Sequence, residues 1–336
     1  MIQPISIGRH KIACPVFLAP MSGVSDLPFR RLAWRYGAGL VISEMVACEA
    51  LANNSREMAT RARGEGVGIH VVQLAGREEK WMSEGARMAA AAGADILDIN
   101  MGCPARKVTN GYSGSALMQD PDHALRLIEA TVQATELPVC LKMRLGWDEN
   151  SLNAGEIARR AQNAGIQLVT IHGRTRNQFY KGRADWAAIR RVSEQVDIPV
   201  IANGDIVDMN QVDEVLTLSG ANGIMIGRGA YGRPWFPGYV RSRMAAGSTP
   251  LAEPTHREKQ ELAAEHYDAI LSHYGIDVGI RAARKHLGWY LDDAGIIDPT
   301  ARRQIMTGTD CKTVLRALVD SFLEAANAPD DLEVAA

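Results

Sequence analysis

Cysteine is scarce in this chain of 336 residues: Cys14, Cys48, Cys103, Cys140 and Cys311 are five in all, an odd number at wide spacings. That excludes a disulfide framework and offers no CxxC pair for zinc, so reduced thiols and no metal are expected. Long apolar runs are missing too. No stretch approaches the ~18 apolar residues of a membrane span, and the N-terminal MIQPISIGRHKIACPVFLAP lacks the basic, apolar, small-residue order of a signal peptide. A cytoplasmic protein with no membrane association is the expectation. Neither sign of charge is in excess, since 37 Lys and Arg stand against 39 Asp and Glu, a formal net charge of -2. The basic surplus usual in a nucleic-acid-binding domain is therefore absent, and residues 241 to 336 hold 11 Lys and Arg against 15 Asp and Glu.

What is present is an ordinary globular composition, 46% apolar and 23% charged, which argues against disorder. Up to Ile226, short apolar β-branched runs alternate with helix-length segments, as in repeated βα units around a parallel sheet. Eight runs stand out: PVFLA ending at Ala19, LVISE at Glu44, IHVVQ at Gln73, ILDIN at Asn100, VCLK at Lys142, LVTIH at His172, VIAN at Asn203 and GIMIG at Gly227. The phrases AAGADILDIN, NAGIQLVTIH and LSGANGIMIG recur before three of them, a sign of a βα repeat. Continuous apolar strands between helical segments such as PDHALRLIEATVQA fit an α/β fold of the (β/α)8 TIM-barrel type better than an open sheet.

Barrel active sites lie at strand C-termini, so the polar residues that end the runs, Gln73, Asn100, Lys142, His172 and Asn203, are expected to share one mouth. From 245 to 255, AAGSTPLAEPT reads as a linker, after which strand signals stop. The expected division is a barrel over 1–244 and a smaller all-α domain over 245–336. Thr255 and Glu258 can form a capping box for a helix ending at Gly275, with further helices near 278–293 and 310–326 and a frayed acidic tail, APDDLEVAA.

Cys103 falls in the loop just past a barrel strand, beside a glycine-rich stretch, which is a catalytic position. A thiol at its ordinary pKa of about 8.5 is mostly protonated at neutral pH, so such a group can serve as a general acid as easily as a nucleophile. Cys140, inside a strand, and Cys14 read instead as packing groups. The turns ANGDI at 202–206 and IGRGAYG at 226–232 carry glycines where a phosphate meets backbone N–H groups in such barrels, and Arg228 can add a charge-assisted contact. Gly227, Gly229 and Gly232 also spell GxGxxG, but Pro234 and Pro237 follow and no βαβ unit opens there, so the dinucleotide reading fails. In VGIRAARKHLGWYLDDAG an apolar stripe of Ile280, Ala283, Leu287, Tyr290 and Leu291 lies beside a basic face of Arg281, Arg284 and Lys285.

These residues resemble a known family, the bacterial tRNA-dihydrouridine synthases, and within it the B-type branch. The resemblance spans almost the whole chain through APMSGVSDLPFR at 19–30, VISEM at 41–45, VVQLAG at 71–76, DINMGCP at 98–104, VCLKMRLGW at 139–147, TIHGRTRNQFYKGRADW at 170–186, GRGAYGRPW at 227–235 and RAARKHLGWYL at 281–291. It implies an FMN flavoprotein that reduces a uridine of tRNA with NADPH, the B-type likeness pointing to the D-loop, with a helical domain that grips tRNA. It implies that Pro20, Met21 and Ser22 line the flavin, that Gln73, Lys142 and His172 meet its ring and ribityl side, and that Asn203, Gly204, Asp205, Gly227 and Arg228 hold its phosphate end. Cys103 would be the proton donor, Asn100, Arg174 and Arg176 would hold the extruded base and adjacent phosphate, and Arg281, Arg284 and Lys285 would contact tRNA. Two other functions remain in view: an FMN barrel acting on a free pyrimidine such as dihydroorotate, and a non-catalytic RNA-binding or regulatory barrel.

Overall fold

A computed structural model describes residues 2–245 and 247–327; the acidic tail expected to fray lies outside the described residues. The described residues form two compact units, one within 2–230 and 235–250, the other within 231–234 and 251–327.

The first unit is the barrel. After an antiparallel hairpin of β1 (Ile5–Ile7) and β2 (His10–Ile12) come β3 (Val16–Leu18), β4 (Leu40–Val41), β5 (Val46–Ala47), β6 (Val71–Ala75), β7 (Ile96–Met101), β8 (Val139–Arg144), β9 (Leu168–His172), β10 (Val200–Asn203) and β11 (Gly223–Ile226). The sheet order is β4-β3-β11-β10-β9-β8-β7-β6-β5, and every pairing in it is parallel. One segment, 40–47, closes the ring. Leu40 and Val41 pair with β3, Ile42 bridges to Val71, and Val46 and Ala47 pair with β6. The run expected to be one strand ending at Glu44 is strand only at Leu40–Val41, and a second short strand, Val46–Ala47, follows beyond it, because the chain changes partner midway. Ser43 sits at the change, its N–H donating to the Val71 carbonyl and its Oγ accepting from the Gln73 N–H.

Other boundaries moved because parallel pairing continues past the polar residue. β6 runs on to Ala75, β7 to Met101 and β8 to Arg144, so Gln73, Asn100 and Lys142 lie within strands rather than at their ends. They are inward-facing positions of a period-2 pattern. The same alternation fills the lower interior with Phe17, Leu40, Ile42, Val71, Ile96, Cys140, Leu168, Ile201 and Met225. Ile5, Ile7 and Ile12 of the hairpin join this cluster. Apolar residues thus fill one end, and the polar inward positions collect at the other.

The outer helices bury one stripe each. Pro121–Gln133 starts on Asp120, whose carboxylate accepts the His123 N–H at 2.9 Å, places Pro at its first turn, and buries Ala124, Leu127, Ile128 and Thr131, the i, i+3, i+4, i+7 spacing. None of the helices among the described residues is long and apolar enough to cross a membrane.

The second unit is helical: His256–Tyr274, Ile276–Asp293, Pro299–Thr307 and Cys311–Asn327. The Thr255–Glu258 capping box forms, with the Thr255 N–H donating to Glu258 Oε2 at 2.7 Å and the Glu258 N–H to Thr255 Oγ1 at 3.3 Å. Ile280, Ala283, Leu287, Tyr290 and Leu291 are all buried. Pro299–Thr307, capped by Asp298, was not anticipated separately.

Candidate active site

Two hydrogen-bonded groups occupy the C-terminal mouth of the barrel. In the first, the Gln73 Nε2 donates to Asp98 Oδ2 at 2.6 Å, the Asn100 Nδ2 donates to Gln73 Oε1 at 2.7 Å, and Asn100 Oδ1 accepts the backbone N–H groups of Gly102 at 3.2 Å and Cys103 at 3.0 Å. The loop is held from its other side as well. The Cys103 carbonyl accepts from Ser115 Oγ at 2.8 Å, and the Gly102 carbonyl accepts from Arg144 Nε at 2.8 Å. Cys103 is partly exposed, whereas Cys14, Cys48 and Cys140 are buried. Burial pushes the Cys48 thiol up to about 12 and the Cys140 thiol well above the ordinary range, which leaves both inert.

Lys142 lies beside this group, its Nζ donating to Asn203 Oδ1 at 3.1 Å while the Asn203 Nδ2 donates to the Met225 carbonyl at 2.8 Å. Burial pulls the Lys142 ammonium below its ordinary pKa, against the attraction of Asp98. Burial pushes Asp98 up, against its Gln73 hydrogen bond and Lys142.

The second group centres on Asp205. Arg174, 1% exposed, donates from Nη1 to Asp205 Oδ1 at 2.9 Å and from Nη2 to Asp205 Oδ2 at 2.6 Å, a bidentate pair. The same guanidinium donates to the carbonyls of Lys181 and Gly182, and its Nη1 is 3.3 Å from His172 Nε2. Arg228 reaches Asp205 Oδ1 at 3.2 Å. Burial opposes ionisation of Asp205, but Arg174, the Ala184 N–H and Arg228 outweigh it and hold the carboxyl below its usual range. His172 lies well below its ordinary pKa, first by burial and then through the charges of Arg144, Lys142, Arg174 and Arg228, so it is a neutral imidazole.

Most of the expected site residues are thereby brought together. Pro20 and Met21, partly exposed, lead from β3 into a turn that begins at the exposed Ser22, and a Cβ on Gly227 would stand 3.8 Å from both Met21 Sδ and Ala19 Cβ. Gly204 and Asp205 both adopt positive φ, 117° and 55°. A Cβ at Gly204 would strike the His172 ring and Ala184 Cβ. Arg176 lies apart from both groups, over the Trp147 and Phe179 rings at 4.5 and 4.8 Å, its Nη2 donating to Thr109 Oγ1 at 3.3 Å. In the helical unit Arg281 is exposed and Lys285 half-buried, while Arg284 Nη2 donates to the Gly308 carbonyl at 3.3 Å, at the end of Pro299–Thr307.

Two residues of the mouth were missed. Asp98 and Arg144 each stand two positions from an expected residue on the same strand, and carrying the alternation one step further in either direction finds both. Arg144, also 1% exposed, ties Gly102 to Thr175 and Phe179 through their carbonyls.

A parallel α/β barrel whose mouth gathers four cations, a neutral histidine, a partly exposed thiol and a left-handed turn is the architecture of an enzyme. A family model described as "Dihydrouridine synthase (Dus)" matches residues 17–327, and the chain belongs to that family. It is 58% identical over 304 residues to a "Probable tRNA-dihydrouridine synthase" of Rhizobium leguminosarum bv. phaseoli, covering 90% of this chain and 93% of that one. It is 41% identical over 318 residues to "tRNA-dihydrouridine synthase B" of Pasteurella multocida strain Pm70, covering 94% and 95%. Among solved structures, histamine dehydrogenase from Rhizobium sp. 4-9 shares the fold at a TM-score of 0.57 and 11% identity, over 97% of this chain and 64% of that one.

Proposed function

We propose that this protein is a flavin-dependent tRNA-dihydrouridine synthase of the cytoplasm, which reduces the C5=C6 bond of a D-loop uridine with FMN as cofactor and NADPH as reductant. The observation that carries the reading is Cys103, held by its backbone on the same hydrogen-bonded chain as Gln73 and Asn100 and beside the buried Lys142. FMN, when bound, carries two electrons from NADPH to the uridine.

The mouth fits that group. The turn at Gly204–Asp205, with Gly227 and Arg228 opposite, suits a phosphate, Asp205 being already neutralised by Arg174 and Arg228. At Gly227 the missing side chain keeps the backbone uncovered beside Ala19 and Met21, each 3.8 Å from where a Cβ would stand. Lys142 places positive charge within the mouth, and His172, being neutral, adds none while remaining able to donate or accept a hydrogen bond.

Uracil is polarised toward its C4 carbonyl, so hydride arrives at C6 and a proton must reach C5. The Cys103 thiol gives that proton, and the thiolate left behind regains one from solvent. The uridine leaves its stack to reach the mouth at a cost of a few kcal/mol. On the same reading Asn100 and Arg176 would meet the base and an adjacent phosphate, while Arg174 acts through Asp205 and the 181–182 loop.

Two experiments test the assignment. Asn203→Ala with Arg228→Ala removes the Lys142 acceptor and one cation from the phosphate end. At about 1.5–3 kcal/mol for the one charged hydrogen bond that Arg228 would give, and with Lys142 left without its acceptor, the pair should weaken FMN binding by at least about tenfold. Stoichiometric yellow cofactor retained through gel filtration of the double variant would sink the phosphate-end assignment. In the helical unit, Arg281→Glu with Lys285→Glu should weaken tRNA binding and lower the log–log salt slope by about two, while NADPH oxidation is kept. Equal salt slopes for the two proteins would mean that this face is only solvated.

A further inference from the structure

Asp98 has no part in the reaction described above, yet it is among the most deeply set polar side chains of the barrel interior, 4% exposed and paired in register with Gln73 and Cys140. A carboxylate only accepts hydrogen bonds. Asp98 Oδ2 therefore requires the amide nitrogen of Gln73, 2.6 Å away, which turns the Gln73 carbonyl toward Asn100. Asn100 must answer with its own amide nitrogen at 2.7 Å, which leaves its carbonyl facing the N–H groups of Gly102 and Cys103. Each carboxamide has one donating and one accepting end, so an orientation fixed at Asp98 passes unchanged to the loop.

We propose that Asp98 is a positioning residue, setting the direction of this hydrogen-bond chain and so holding the Cys103 loop in its working geometry. The inference rests on the functional reading above for the role of Cys103. Were the chain reversed, the Asn100 nitrogen would face two loop N–H groups, donor against donor, and the loop would be released. The carboxylate prevents this because it has two oxygens, one for Gln73 and one left to the attraction of Lys142, which lies on β8 two positions beyond Cys140, the register partner of Asp98. An amide at 98 has a single oxygen for both demands, and the Lys142 charge draws that oxygen away from Gln73. The grip on the loop carbonyls by Ser115 and Arg144 stays the same in either direction.

The test uses the FMN-loaded full chain. In Asp98→Asn, amide hydrogen exchange at Gly102 and Cys103 should quicken by at least about tenfold, with exchange in β9 and β10 unchanged. Oxidation of the reduced enzyme by tRNA, measured per bound flavin, should slow by about 10- to 100-fold, as expected of a misplaced reacting group, with tRNA affinity within about twofold of wild type. Asp98→Asn with Asn100→Asp keeps one carboxylate near Lys142 and again ends the chain on an acceptor. It should return Gly102 and Cys103 to slow exchange, and it provides the test should the single variant fail to fold. Unchanged exchange in Asp98→Asn, or exchange in the double variant as fast as in Asp98→Asn, overturns the proposal. Exchange is read without tRNA or NADPH. The expected exchange pattern in a protein whose wild type leaves tRNA uridine unreduced would therefore uphold the positioning role and refute only the function.

Discussion

Replacing Cys103 with alanine is expected to slow uridine reduction in tRNA by about 10²- to 10⁴-fold, the range a general acid contributes, while leaving NADPH oxidation near wild type. The two halves separate because delivery of electrons from NADPH needs no acid from this loop, whereas C5 of the uridine must receive a proton. The loop itself should persist in the variant. It is held by the backbone, through the N–H groups on Asn100 and the carbonyls on Ser115 and Arg144, and none of these bonds uses the thiol. Flavin content should therefore stay within about twofold of wild type, since a surface-accessible truncation of this kind disturbs little else. Stopped-flow measurement of each half-reaction reads the difference, and tRNA oxidising the reduced variant at the wild-type rate would remove Cys103 from the mechanism.

Arg174→Ala should be the most damaging single change to the barrel mouth. The side chain is 1% exposed and bonds Asp205 through two nitrogens and the 181–182 loop through two carbonyls. Removing one partner of a buried pair strands the other, at about 3–5 kcal/mol, and the figure belongs at the lower end here because Arg228 remains beside Asp205, which is itself partly exposed. The loss should appear as a lower denaturant midpoint with an unchanged slope, together with weaker flavin retention. Its pH dependence has a definite sign. Asp205 is held below its unfolded value, so the pair stabilises the native state above the ordinary Asp pKa of about 3.9. The gap between wild type and variant should close as pH falls through and below that value. A gap that is constant from pH 7 to 3 would show that lost packing, not the ion pair, accounts for the effect.

The barrel was legible because its interior is sorted along each strand: apolar residues first, then Gln73, Asn100, Lys142, His172 or Asn203 near the mouth. Proximity among these followed from the architecture alone. Directional contacts did not. Arg174 and Asp205 lie 31 positions apart, and nothing in either segment announces that one side chain saturates the other. The hairpin at Ile5–Ile12 went unseen because three-residue strands carry too little alternation to register, although its isoleucines join the barrel's apolar interior cluster. The split of 40–47 into two strands depends on a change of pairing partner, which is a property of the closed ring and not of the segment. Asp98 was passed over because a charged residue inside an apolar run reads as an interruption, whereas the ring supplies it with Gln73 and Lys142.

The central claim is that this chain reduces a uridine within tRNA. The direct measurement is to incubate the purified FMN-loaded protein and NADPH, without oxygen, with tRNA from cells that lack the protein, and to map the product by mass spectrometry. The account predicts that one uridine, in the D-loop, gains the mass of two hydrogen atoms, with one NADPH consumed for each. Unchanged tRNA alongside NADPH-dependent reduction of a free pyrimidine would contradict it.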